Sequence, residues 1–285
     1  MIDQFPKISA VYFGLLQSGY GFYTLERSAA HIEKLRAFCK PRPSSAFFAK
    51  TKQDTCDVYP YWPRAFILEA ATFFLNDGNT GFRDLESFRQ RIMSASNISE
   101  KERDDSLWDW LDDFPQALSS VLSDSSFAEY LEWEKNWIDE QEVVCREELG
   151  LIDRCLEICT GLYRSPVRNI RICIDPIKCV YSSDYHLLGD CFVFTSGALR
   201  ADSVIHEYLH HVVHPYVDLR KALVSECKTF NNQLDESYYL SENDVGSINV
   251  FEETVVRALT EEIVEGKYPE DLSAYLDRFL TQKRS

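Results

Sequence analysis

The chain is short of positive charge: 30 Lys and Arg stand against 46 Asp and Glu, a formal net charge of -16 in 285 residues. Most of such a surface repels phosphate, which argues against nucleic acid as a partner. No apolar run approaches the roughly 20 residues that a membrane helix requires, so no membrane partner is expected. A disulfide framework is lacking as well, since the nine cysteines are odd in number and scattered. No secretory segment is evident, because the opening MIDQFPKISAVYFG is broken by Asp3, Pro6 and Lys7. These absences together point to the reducing cytoplasm. Cys155 and Cys159 have helical spacing but fall in LIDRCLEICTGL among Leu and Ile, and read as buried thiols rather than ligands. Repeats and low-complexity tracts are absent too.

What is present, from Ile8 to about Tyr163, is helical periodicity. It is interrupted at Lys40–Ser45, Asp57–Pro63 and Ser94–Lys101 by proline-rich or polar stretches. The acidic segment Glu129–Glu148 keeps Tyr130, Trp133 and Trp137 at helical spacing, as a solvated acidic helix face does. Strand signals begin only afterwards. RNIRICIDPI (Arg168–Ile177), KCVYSS (Lys178–Ser183) and CFVFTSG (Cys191–Gly197) predict a small sheet of three or so strands. The reading is an α+β protein with a mainly helical N-terminal region, 1–165, and a C-terminal region, 166–285, that holds the sheet and the motif considered next.

His206, Glu207, Tyr208, Leu209 and His210 spell HExxH within VIHEYLHHVV, Val204–Val213. Residues four apart on a helix differ by about 40° in bearing and about 6 Å in height, so both imidazoles face one spot where a cation can bridge them. Asp202 or Ser203 is expected to cap this helix, and Pro215 to stop it close after the second ligand. The plainer reading is that four His in nine residues form a polar helix face; the interleaved Val204, Ile205, Leu209, Val212 and Val213 favour the metal instead.

A catalytic zinc takes a third protein ligand, from a separate element. His211 points about 100° away from His210 and is expected to be solvated. His214 would need the chain to double back, and Asp218 is marked by nothing further. A later helix, Ser247–Gly266, offers Glu252 and Glu253 in its first half, with Gly266 as its stop. Glu252 lies near the centre of that helix's apolar face, where a carboxylate is costly unless paired or metal-bound; Glu253 lies toward the edge.

HExxH followed by a Glu near the start of a later helix resembles the gluzincin clan of metallopeptidases. The stretch Glu253–Leu259 is similar in apolar rhythm to the ligand helix of thermolysin-like peptidases, in which the ligand Glu precedes apolar residues two, five and six positions on. Val255, Ala258 and Leu259 fit that register for Glu253. HEYLHHVVHP paired with EETVVRAL also resembles a bacterial zincin-like family of unknown function, with HExxHxFxNP and a Glu four before Arg-Ala. Glu253 stands four before Arg257. The resemblance spans Arg171 to Glu265 and implies Zn2+ held by His206, His210 and Glu253. Zincins also run an edge strand along the cleft, a place assigned here to Cys191–Thr195. Two departures stand out: Arg257 occupies the place of an Asp that orients a ligand His, and His214 replaces an Asn before Pro.

Such a zinc lowers the pKa of a water toward about 7 and polarises a carbonyl, with Glu207 as general base. The oxyanion donor is expected among Tyr238 and Tyr239, in DESYYLSEND, with His186 and Arg257 as further candidates. The expected activity is hydrolysis of peptide or related amide bonds in a peptide or protein substrate. The alternative is a zincin-like scaffold serving as a binding or regulatory module.

Overall fold

The computed structural model describes residues 1–19, 27–38, 40, 46–49, 65–76, 81–94, 111–227 and 244–284. In chain order these form α1 (Pro6–Gln17), α2 (Ala29–Phe38), α3 (Ala65–Thr72), α4 (Leu85–Ser94), α5 (Phe114–Leu122), α6 (Ser125–Val144) and α7 (Arg146–Leu162). Three strands follow, β1 (Asn169–Ile174), β2 (Ser183–Leu188) and β3 (Cys191–Ser196). Then come α8 (Ala201–Asp218), α9 (Lys221–Ser225), α10 (Asp244–Val264) and α11 (Leu272–Arg284). The protein is thus mixed α+β, mainly helical with one small sheet. No described helix is long and apolar enough to cross a membrane.

The sheet order is β1-β3-β2, with β1 parallel and β2 antiparallel to β3. This corrects two expectations. Among the described residues Cys191–Ser196 is the central strand, flanked by Asn169–Ile174 and Ser183–Leu188. KCVYSS is a turn that only enters β2 at Ser183. The reason is chemical: the inward residues of β2 include Asp184 and His186, 5% and 6% exposed, so the strand shows no apolar alternation.

Successive side chains on a strand point to opposite faces. Ile172, Ile174, Phe192 and Phe194 join a core with α7, α8, α10 and α11. Cys173 joins the other core, built from α1, α3, α5 and the first half of α6. The sheet is therefore a partition between two apolar clusters. They are not segregated along the chain: Ile2 and Ile138 pack in the first, Cys173 and Ile177 in the second. α6 serves both, with Phe127 and Tyr130 in one and Ile138 in the other.

A buried polar cluster lies on the Cys173 face of that partition. Glu69 of α3, fully buried, accepts from Lys178 Nζ at 2.8 Å, Thr195 Oγ1 at 2.6 Å and Tyr12 Oη, with His186 Nε2 at 2.9 Å. Lys178 Nζ also donates to Asp184 Oδ2 at 2.5 Å and to Thr195 Oγ1 at 2.9 Å. Burial would raise the Glu69 pKa, but Lys178 and His186 overcome it and hold the carboxyl down at about 2. Nothing in the periodicity of the chain announced this cluster. Its one legible sign is a lone acid in the otherwise apolar AFILEAAT.

Candidate metal centre

α8 lies against the Phe192 face of the sheet, where the Tyr208 and Phe192 rings meet edge-on at 5.4 Å. Its back is pinned to α7 by Tyr208 Oη and Thr160 Oγ1, 2.7 Å apart, and to the segment after α7 by Ser165 Oγ with His211 Nε2, 3.2 Å apart. His211, expected to be solvated, is thus half-buried and bonded. Neither Asp202 nor Ser203 is the N-cap; that position is Arg200, without a side-chain cap. Glu148 of α7 instead accepts the Ala201 N–H at 2.8 Å, and a carboxylate there suits the positive end of the helix.

Pro215 does not stop the helix, which continues to Asp218. Proline inside a helix removes one donor and crowds the preceding turn, a cost of about 3 kcal/mol. The core outweighs it. Val213 and Val217, both fully buried, extend the apolar stripe past the proline. Arg220 fastens the end to α11 through Ser273 O at 3.0 Å and Asp277 Oδ1 at 2.8 Å. Because the turn survives, His214 stays one turn beyond His210 on the same side of α8.

The front of α8 meets the first half of α10. His206 Nε2 and His210 Nε2 are 3.1 Å apart, and Glu253 Oε2 lies 3.5 Å from the former and 3.3 Å from the latter. Tetrahedral zinc with bonds of about 2.0–2.1 Å keeps its ligand atoms about 3.3–3.4 Å apart, so this triangle has the size of one face of that polyhedron. Two imidazoles and one carboxylate are also the donor set that zinc accepts. The three side chains are between 19% and 21% exposed, which leaves the spot reachable from solvent.

Glu252 stands elsewhere. Its Oε1 lies 2.8 Å from His210 Nδ1 and its Oε2 2.8 Å from His214 Nδ1, on the side of the imidazole away from the triangle. The apolar surroundings that made Glu252 costly are offset by two imidazole partners. Arg257, where an orienting acid was expected, donates from Nε to Glu253 Oε1 at 2.5 Å. That contact occupies one oxygen of the carboxylate and leaves the other toward the histidines. Asp218 lies 3.7 Å from His214 Nε2 and 2.8 Å from Lys221 Nζ, outside the triangle.

Comparison with family models, curated proteins and solved structures finds no match. The site's chemistry therefore rests on its own electrostatics. Burial pushes the Glu207 carboxyl up to about 8, against the lowering influence of His210, while Asp184 and Glu253 add to the rise. Lys178 also lowers it, so the buried cluster at Glu69 lies within electrostatic range of Glu207. Burial would lower His210, but hydrogen bonds to Glu252 and Glu253 and the charge of Glu207 push it up to about 10. Glu253 is held far below the usual carboxylate range by His206 and His210, despite its desolvation. Two carboxylates, Glu252 and Glu253, thus meet the imidazoles of His206, His210 and His214, oxygen and nitrogen donors of the kind a cation takes.

The remaining expected residues lie apart. Tyr238 and Tyr239 fall outside the described residues. His186 belongs to the sheet face opposite Phe192 and Phe194, with its ring stacked 5.2 Å from Phe66 and its Nε2 on Glu69. Cys155 and Cys159 are both buried and free.

Proposed function

We propose that the chain is a zinc-dependent hydrolase of peptide or related amide bonds, built on a zincin-like C-terminal part of gluzincin type. The observation that carries this reading is the His206–His210–Glu253 triangle, sized for one tetrahedral face and open to solvent on one side. A zinc ion there would polarise the scissile carbonyl and acidify a water molecule. Glu207, one residue after the first ligand, accepts the proton and returns it to the leaving amine. Arg257 fixes which oxygen of Glu253 faces the histidines. Among the described residues no cysteine is joined to another described one, which supports a reducing compartment such as the cytoplasm.

The test is metal analysis of protein purified without added zinc, together with mass spectrometry of a peptide mixture incubated with it. About one zinc per chain is expected in the unaltered protein and in Glu207→Gln, and little in Glu253→Ala. Cleavage by Glu207→Gln should fall by about 10²–10⁴. A metal-free native chain, or full metal content in Glu253→Ala, would refute the assignment.

A further inference from the structure

Glu252 has its side chain 11% exposed, and each of its oxygens is committed to a different histidine of α8. The two histidines are one helical turn apart. An ionised carboxylate only accepts, so both Nδ1 atoms that meet it carry hydrogen. For His210 this sets the ring orientation: Nδ1–H donates to Glu252, and Nε2 is the atom that faces His206 and Glu253, with its lone pair available once a cation displaces its proton. His214 has no such donor set. Its Nδ1 donates to the second oxygen of Glu252, and its Nε2 faces Asp218, which holds Lys221 at 2.8 Å. A chain of contacts thus runs Lys221–Asp218–His214–Glu252–His210 along the outside of α8. The carboxylate would be free to rotate if only one of its oxygens were held; His214 removes that freedom.

We propose that Glu252 and His214 form a positioning pair for the metal centre, in which Glu252 sets the tautomer and ring orientation of His210 and His214 acts solely by holding Glu252. The inference rests on the metal site proposed above and adds to it two residues that touch no metal. A clip that merely joins α8 to α10 would have no reason to bond the nitrogen opposite the donor triangle. Partners that orient a ligating imidazole in this way are worth about 10–100-fold in metal affinity.

Zinc affinity measured by competition with a chromophoric chelator, and the visible spectrum of the Co2+-loaded chain, test this. Glu252→Gln preserves shape but turns an amide N–H toward one of the two histidines, and zinc binding should weaken by about 10–100-fold. His214→Ala, at a half-exposed position that tolerates truncation, should weaken it by about 10-fold and alter the Co2+ bands. The double variant should bind no more weakly than Glu252→Gln alone, because His214 has no other route to the metal. His211→Ala, on the same helix but bonded to Ser165, should leave the affinity unchanged. Should Glu252→Gln fail to fold, the His214→Ala comparison decides alone. Affinity and Co2+ spectrum of His214→Ala within about twofold of the unaltered chain would overturn the positioning role while leaving the metal site standing, as would additive losses in the double variant. Absence of metal uptake by the unaltered chain would overturn both.

Discussion

Glu69 accepts from four side chains drawn from α1, the loop after β1, β2 and β3, and one of them, Lys178, also holds the buried Asp184. Breaking such a cluster from one side leaves charge stranded in a dry interior. Lys178→Met, which abandons Glu69 and Asp184, is expected to cost about 3–5 kcal/mol in urea denaturation. The pH dependence follows from the depressed Glu69 value. Its folded pKa, about 2, lies below its unfolded one of 4.5. Its stabilisation is therefore complete above 4.5 and drains away as pH falls toward 2. With chelator present, the urea midpoint of the unaltered chain should fall more steeply across that window than that of Glu69→Gln. At this scale the sequence was readable in part. HExxH gave the two imidazoles, and the resemblance to thermolysin-like peptidases favoured Glu253, whereas the cost of a carboxylate in the apolar face favoured Glu252. The duties of Glu252 and Arg257 were not readable, because they depend on which oxygen meets which nitrogen across two helices.

Among the elements, α8 and α10 were legible because their apolar stripes keep a helical period over several turns, and Gly266, at φ 82°, ends α10 where only glycine is at ease. β2 was not, since its inward residues, Asp184 and His186, are polar and serve Lys178 and Glu69. The end of α8 was misjudged for a related reason: local proline chemistry lost to burial of Val213 and Val217. That balance can be measured. Pro215→Ala supplies an N–H for the His211 carbonyl and relieves the preceding turn, at some loss of unfolded-state restriction. A net gain of about 1–2 kcal/mol in stability is expected, with zinc affinity unchanged. A loss of stability would mean that the proline is accommodated by a geometry that an alanine cannot share.

At the level of the whole molecule, the interleaving of the two cores matters more than the boundary near residue 165 suggested by the change from helical to strand patterning. A fragment comprising residues 166–285 would carry Lys178 and His186 without Glu69, and the Phe192 core without Ile2 or Ile138. It is expected to lack a cooperative thermal transition, which circular dichroism would show directly. A sharp native-like melt of the fragment would contradict this.

α6 turns that interdependence into a mechanical property. Its 20 residues span about 30 Å, one end rooted among the Phe127 and Tyr130 rings and the other beside Ile138. It works as a beam through two rooms: neither can be emptied while the beam stands, and if it falls both open. Calorimetry should accordingly record one endotherm, with its van't Hoff and calorimetric enthalpies equal, from a chain whose apolar interior is in two parts.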